Sequence, residues 1–135
     1  MAIDGLISLR SNVGPKQTAD RLKSELETRG LTLFAQIDHA AGAAGAGLVL
    51  RTTELFLFGN AKGGTPLMQA TQTIGIDLPL KALVWQDTSG DTWLSYNDPA
   101  WLAERHGVAD TTQAVTAAMS ALLGAIAKAV TSGGA

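Results

Sequence analysis

The chain has 135 residues, of which 46% are hydrophobic and only 16% charged, and its formal net charge is −2. That length predicts a single domain over residues 1–135, and the low charge suggests surface hidden in an assembly. No basic cluster is present to neutralise phosphates, which argues against nucleic acid, and the absence of cysteine excludes disulfides and thiolate metal sites.

The first third of the chain predicts a strand, a helix and a second strand. Residues 3–10 alternate, with Ile3, Ile7 and Leu9 on one face. Gly14-Pro15 then starts a helix, and Gly30 is its natural stop. Residues 31–37 alternate again. The start MAIDGLISLRSN lacks the charged and apolar regions of a signal peptide, so we expect a cytoplasmic protein.

Small side chains dominate the next segment. Asp38 is suited to cap a short helix over residues 39–46, and residues 40–47 contain five alanines and three glycines. The favoured interpretation is a helix pressed tightly against another backbone. The alternative is a place where a ligand approaches the main chain.

The centre of the chain is strongly apolar. Residues 48–50 and 55–58 predict a central strand covered on both faces, with a bulge or turn at residues 51–54. Residues 59–64 form a glycine-rich loop, and Thr65-Pro66 starts a short helix. The order of strand, glycine loop and helix superficially resembles a phosphate-binding loop. We do not favour a nucleotide site, because Lys62 precedes the double glycine instead of following it.

The last part predicts a hairpin and two helices. Residues 78–85 form a strand with Pro79 marking an edge or a strand beginning, and residues 92–96 return as its partner. A helix follows Asn97-Asp98-Pro99 and closes at His106-Gly107. Asp110 to Gln113 fits a capping box for a long helix over residues 111–130.

That last helix carries no charge before Lys128. An ordinary surface helix has a charged face, so we expect the helix to be covered on more than one side by a second copy of the chain. A membrane span is the competing interpretation. We do not favour it, because Thr, Ser, Gln and Gly make the segment weakly apolar. The element order predicts an α+β fold of two layers: a mainly antiparallel sheet with helices on one face.

Three stretches carry a family resemblance: FAQIDHAAGAAGAGLVLRTTELFLFGNAKGGTPLMQA, IGIDLPLKALVWQD and WLSYNDPAWLAERH. Over residues 19–106 the chain resembles the bacterial family catalogued as domain of unknown function 302. The family usually has proline where Thr52 and Ala61 stand here, which affects local loop rigidity. The resemblance implies a compact two-layer α+β fold that commonly pairs into dimers. It implies no activity.

The candidate catalytic residues are Asp38, His39, Glu54 and Asp77. A histidine poised by a carboxylate is typical of acid–base catalysis. The competing interpretation makes Asp38 a helix cap and His39 a packing residue at the helix end. Arg51 is a candidate for anion binding, although Arg51, Glu54 and Asp77 fit equally well as an internal ion-pair set that holds turns together.

The remaining ligand-binding candidates are polar residues beside turns. They are Asn60, Lys62 and Thr65 at the glycine loop, and Tyr96 and Asn97 at the hairpin exit. Ordinary turn chemistry, a satisfied tyrosine and a helix cap explain them as well. No metal-ligand spacing is present around His39 or His106, so we predict no metal and no cofactor.

The sequence thus predicts a cytoplasmic homodimeric binding or interaction domain, paired through residues 111–130, with a small molecule as its second partner. It predicts no nucleic acid and no membrane. The alternative is a small-molecule enzyme or sensor with an acid–base pocket around Asp38, His39, Arg51, Glu54 and Asp77.

Overall fold

The computed structural model describes residues 2–133. Its elements in chain order are β1 (Leu6–Arg10), α1 (Pro15–Thr28), β2 (Thr32–Asp38), α2 (His39–Gly45), β3 (Thr53–Gly59), α3 (Ala61–Ala70), a 3₁₀ helix (Gln72–Asp77), β4 (Leu80–Gln86), β5 (Thr92–Asn97), α4 (Pro99–Arg105) and α5 (Gln113–Ser132). The five strands form one sheet in the order β1-β5-β4-β3-β2, and all neighbours are antiparallel. This is the predicted α+β architecture, with β1 and β2 as the edge strands.

One face of the sheet forms the core with two helices. Alternate residues of β3, β4 and β5 on that face are buried: Phe56, Phe58, Leu80, Ala82, Val84, Leu94 and Tyr96. They pack with buried residues of α1 and α5, and those two helices also contact each other. On the opposite face Leu55 and Leu83 lie side by side and Trp85 stacks on Trp93 at 6.1 Å, all of them half-buried.

The predicted strand over Leu48–Leu50 is wrong. These residues lie outside the sheet, and their side chains are 66%, 101% and 45% exposed. The N–H of Leu48 donates instead to the Ala43 carbonyl, and Gly47, with φ 77°, closes α2. Residues 48–50 therefore follow the closure of α2 as an exposed segment without regular structure, and β3 begins only at Thr53.

The tight packing predicted for the small-residue helix is also wrong. A Cβ built on Gly42 or Gly45 meets no atom within 4 Å, and α2 has no buried residue. The small side chains therefore leave this helix open to its surroundings.

Three element beginnings differ from the prediction. α3 starts at Ala61, not at Thr65-Pro66, because the Asn60 side chain accepts the N–H of Gly63 and forms the cap. α5 has no capping box at Asp110, because Thr112 is its N-cap and donates its hydroxyl to the Val108 carbonyl at 2.6 Å. β1 starts at Leu6, which leaves Ile3 66% exposed.

Pro79 marks the beginning of a strand but not a sheet edge. β4 starts at Leu80, one residue after Pro79, and lies between β3 and β5.

Among the helices of residues 2–133, α5 alone has the length and apolar composition to cross a membrane. In this fold α5 packs on α1, α4 and the sheet as the long helix of the core.

Candidate functional site

An apolar cavity of about 500 Å³ lies between α3, α5, the beginning of β2 and the end of β3. β2 and β3 contribute Phe34, Leu57 and Phe58, and α5 contributes Met119 and Leu122. The wall opposite is built by α3, the 3₁₀ helix and the start of β4. Those lining residues are Asn60, Ala61, Gly63, Gly64, Thr65, Met68, Gly75, Leu78, Pro79 and Leu80.

Three glycines keep this wall thin. A Cβ on Gly63 would lie 3.6 Å from Met119 Cε, and one on Gly64 would lie 3.6 Å from Leu78 Cδ1. One on Gly75 would lie 3.4 Å from Met68 Sδ. Each of these atoms belongs to a side chain that lines the cavity. Any larger residue at these positions would therefore place its side chain among the cavity walls.

Two predicted ligand residues, Asn60 and Thr65, do line the cavity. Asn60 Oδ1 is already engaged with the N–H of Gly63 at 2.8 Å, so its amide nitrogen is the group with capacity for a ligand. Lys62 is exposed and is not among the lining residues. The residues that line the cavity include no charged and no titratable side chain. The lining therefore offers no charge that would compensate a charged ligand.

The structure separates the five residues of the predicted acid–base pocket. Asp38 and Glu54 are cross-strand partners, and His39 and Arg51 lie at the same end of the hairpin. Asp77 lies before β4, and Leu80 pairs with Phe58 at the opposite end of β3. Leu80 is four residue steps of about 3.3 Å each from Val84, the partner of Glu54. One pocket around all five residues is therefore not formed.

Three of the four residues at the near end have local hydrogen-bond partners of their own. Asp38 accepts the Ala41 N–H as a helix cap, and Glu54 accepts from Gln36 at 2.6 Å. Arg51 donates to the Gln86 carbonyl at 3.2 Å, and His39 is exposed. Within residues 2–133, no side-chain hydrogen bond joins any two of these four. A role for any one of them in binding stays a prediction.

Asp77 belongs to a cluster that the sequence did not predict. Its Oδ2 lies 2.6 Å from His106 Nε2, and Arg105 donates to both carboxylate oxygens at 2.8 and 2.9 Å. The other imidazole nitrogen, Nδ1, lies 3.0 Å from Thr73 Oγ1. The side chains of His106 and Asp77 are only 9% and 14% exposed.

This cluster ties the 3₁₀ helix to the end of α4. Thr73 and Asp77 belong to the same short helix as Gly75, which lines the cavity. The cluster thus holds the 3₁₀ helix, which forms part of the cavity wall, against the end of α4. None of the side chains of the cluster lines the cavity. Among the described residues, no group of three or more His, Asp or Glu side chains is placed to hold a metal ion.

The two candidates at the hairpin exit do not reach the cavity. Tyr96 is buried on the helix-facing side of β5, where burial and then the charge of Asp98 raise the pKa of its hydroxyl. Asn97 pairs with Leu6 in the β1–β5 ladder.

Lys81, on β4, donates to the carbonyls of Asp77 and Pro79, and burial lowers the pKa of its ammonium group.

The family assignment rests on most of the chain. The model of the family described as Domain of unknown function DUF302 matches residues 7–126. The chain belongs to this family. A crystal structure of an uncharacterized conserved DUF302 protein from Bacillus stearothermophilus superimposes with a TM-score of 0.83 at 18% identity, covering 93% of this chain and 98% of that one. At that identity the likeness concerns the fold alone.

Three curated relatives carry the name of a channel. Proteins called "Fluoride-specific ion channel FluC 1" from Brucella suis biovar 1 and Brucella abortus biovar 1 are each 44% identical over 124 residues, 92% of this chain. One called "Fluoride-specific ion channel FluC 2" from Brucella melitensis biotype 1 matches equally well. The chain spans only 49% of the first and 46% of the other two, about half their length.

Proposed function

We propose that this chain is a small-molecule binding domain whose ligand occupies the cavity between α3, α5 and the β2–β3 hairpin. The observation that supports the proposal is the cavity itself, whose volume of about 500 Å³ lies within the usual range of roughly 300–1,000 Å³ for ligand sites. Such sites are mostly apolar with a few polar groups that fix orientation. Asn60 and Thr65 are the polar groups here.

The ligand is an uncharged, mainly apolar molecule. An anion or cation that entered this cavity would lose hydration without meeting an opposite charge, because no charged side chain lines it. An aromatic or aliphatic body fits the walls formed by Phe34, Phe58, Met68 and Met119. The two methionines have flexible side chains that adapt to different shapes.

Binding is favoured over catalysis for the same reason. A general acid or base has to lie within hydrogen-bond reach of the reacting group. The cavity lining includes no titratable side chain, and the predicted acid–base residues lie elsewhere. The enzyme interpretation therefore lacks a place where those groups and a substrate would meet.

Two fluorescent probes test the proposal. N-phenyl-1-naphthylamine is uncharged, and 1-anilinonaphthalene-8-sulfonate has a similar ring system with a negative charge. We expect saturable fluorescence with the uncharged probe, and affinity at least about tenfold weaker for the sulfonate. Gly64→Leu should abolish the signal by filling the cavity, whereas Gly124→Ala on α5, where an added Cβ meets no atom, should not. Equal binding by Gly64→Leu would contradict the proposal.

Self-association and a cytoplasmic location belong to the same proposal. Low charge and long uncharged segments support an assembly. The sequence pointed to α5 as the pairing surface, but the exposed side of α5 carries mostly alanine. Alanine methyl groups bury little apolar area, so this face supports a dimer only weakly.

A second candidate function follows from the curated relatives. An ion channel has to cross a membrane, and in residues 2–133 the one helix able to do so is packed in the core. The half of those relatives that lies outside the match is therefore the natural place for their channel. This chain would then be an accessory domain that acts together with a fluoride channel.

Growth in fluoride tests this second candidate. Deleting the gene for this chain from its own host should change the fluoride concentration that halves growth, and the wild-type gene should restore it. Chloride at matched concentrations serves as the control salt. A Gly64→Leu gene that fails to restore growth would link the cavity to the channel. Identical growth of deletion and parent strains would remove the accessory role.

A further inference from the structure

The cavity is elongated along α3. The helix lines it with Ala61, Thr65 and Met68, which recur on one side at helical spacing, and with its N-cap, Asn60. At a rise of about 1.5 Å per residue, the wall from Asn60 to Met68 is about 12 Å long. A ligand that fills the cavity therefore has two distinct ends, one beside the beginning of α3 and one beside its last turn.

The two ends of the cavity differ in polarity. At the first end, a Cβ added to Gly63 would lie 3.4 Å from Asn60 Oδ1 and 3.6 Å from Met119 Cε. At the second end, a Cβ added to Gly75 would lie 3.4 Å from Met68 Sδ. The first end thus has an amide side chain beside a methionine methyl group, whereas the second end is apolar.

The cap of α3 decides which part of the Asn60 amide faces a ligand. The backbone N–H of Gly63 can only donate, so the amide oxygen has to face it, and the two atoms lie 2.8 Å apart. The amide nitrogen on the other side carries two N–H groups, and neither has an acceptor within residues 2–133. The group left for a ligand at this end is therefore a hydrogen-bond donor.

The other polar residue of the lining does not select between donors and acceptors. Thr65 lies between the two ends, and a hydroxyl group can both donate and accept. Asn60 is also exposed, so the end of a ligand bound there keeps contact with water. A carbonyl oxygen has two lone pairs, and at this position one can bind the amide while the other stays hydrated.

We infer that the ligand is an elongated apolar molecule with one uncharged hydrogen-bond acceptor at its end, the carbonyl of a ketone, aldehyde or ester. Asn60 Nδ2 donates to that carbonyl, and the apolar body extends along α3 towards Met68 and Gly75. A pure hydrocarbon would cover the amide N–H groups without replacing their bonds to water, which is unfavourable. The inference rests on the proposed function, because it names the class of ligand for the same cavity.

Three ligands with one carbon skeleton test this polarity. They are 4-phenyl-2-butanone, which only accepts hydrogen bonds, 4-phenyl-2-butanol, which donates and accepts, and n-butylbenzene, which does neither. Their affinities for the full-length protein are measured by displacement of N-phenyl-1-naphthylamine. Because the hydrocarbon is also the most hydrophobic of the three, the informative quantity is how the ratio of two affinities changes between wild type and a variant.

Asn60→Asp is the decisive variant. Aspartate caps a helix as well as asparagine does, so the bond to the Gly63 N–H is kept, and circular dichroism checks the fold. The carboxylate has no N–H to donate. We expect the ratio of ketone to hydrocarbon affinity to fall at least about fivefold, because a hydrogen bond is lost and lone pairs face each other. The alcohol should lose less than the ketone, since its O–H can donate to the carboxylate.

Asn97→Asp is the matched control, because it makes the same chemical change at a residue that does not line the cavity. It should leave all three affinities unchanged. A ketone-to-hydrocarbon ratio that stays within about twofold in Asn60→Asp would overturn the inference. Equal losses for the ketone and the alcohol would also overturn it, because they would reflect the new charge and not the missing donor.

Nuclear magnetic resonance tests the orientation of the ligand. The Asn60 side-chain amide signals, identified by their absence from Asn60→Asp, should shift more with the ketone than with n-butylbenzene. The chain has three methionines, so methyl labelling gives a simple spectrum. We expect contacts from the phenyl ring to the Met68 methyl group and from the acetyl methyl to that of Met119. The reverse pair of contacts would overturn the orientation.

The failure of this inference is distinguishable from the failure of the proposed function. If N-phenyl-1-naphthylamine and all three ligands fail to bind wild-type protein, the cavity is not a ligand site and both proposals fail. If they bind and Asn60→Asp leaves the affinity ratio unchanged, the binding function stands and the carbonyl preference is refuted. A lowered ratio in Asn60→Asp together with an unchanged ratio in Asn97→Asp supports both.

Discussion

Replacing Gly64 by alanine should make the protein more stable. Gly64 lies inside α3, and its φ is not in the positive region that favours glycine. Alanine is better than glycine in a helix by roughly 0.5–1 kcal/mol. Its methyl group would meet Leu78 Cδ1 at 3.6 Å and Met68 Cε at 3.8 Å, which are ordinary contacts that add about 0.1–0.2 kcal/mol each. We therefore expect a gain of about 1 kcal/mol in the free energy of unfolding.

Urea unfolding followed by circular dichroism measures that gain, and thermal unfolding should show a melting temperature about 3 °C higher. The control is Gly124→Ala in α5, where the added Cβ meets no atom, so the propensity gain is similar. The two variants should differ in probe binding, which Gly64→Ala weakens and Gly124→Ala leaves unchanged. A Gly64→Ala variant less stable than wild type by more than about 0.5 kcal/mol would show that the wall has no free space there.

Three further predictions concern residues outside the cavity. His106→Ala should lower the free energy of unfolding by about 2 kcal/mol in urea, because it removes a hydrogen bond to a largely buried carboxylate; a loss below about 0.5 kcal/mol would contradict the cluster. Gly5→Ala should cost roughly 1–3 kcal/mol and alter tryptophan fluorescence, since Gly5 has φ 77° and its Cβ would collide with the Trp101 ring; wild-type stability would refute this. The Trp93 indole N–H lowers the pKa of Asp87 below its ordinary 3.8, so this carboxylate stabilises the fold above about pH 4 and loses that effect as pH falls through the lowered value. Stability measured by urea unfolding at about pH 5 and about pH 2 should therefore differ less in Trp93→Phe than in wild type, and an equal difference would contradict the assignment.

Local signals predicted most elements because each has a nearby physical cause. Gly14-Pro15 starts α1, Gly30 and Gly107 end helices with positive φ, and residues 87–91 turn between β4 and β5. These features depend on residues within a few positions of each other. Sequence reasoning alone can therefore identify them.

The errors arose where two local signals competed or where the cause was distant. Asn60 and Thr65 are both good caps, and only the Asn60 contact with Gly63 decides between them. Leu48 to Leu50 has the composition of a strand, but the Schellman closure at Gly47 uses its first N–H. The cluster of Asp77 and His106 joins residues 29 positions apart, and no local pattern predicts that contact.

The low charge of the sequence has two separate causes in the structure. Residues 113–127 lack charge because α5 buries one side in the core and fills its other side with alanine, which favours the helix without needing a partner. Residues 40–50 lack charge although almost nothing in their own chain covers them. An uncharged helix that is already packed requires no further contact, whereas exposed valine and leucine side chains gain stability only when another surface excludes water from them. The exposed side chains of Leu48, Val49 and Leu50, more than the absence of charge in α5, therefore support the proposed self-association.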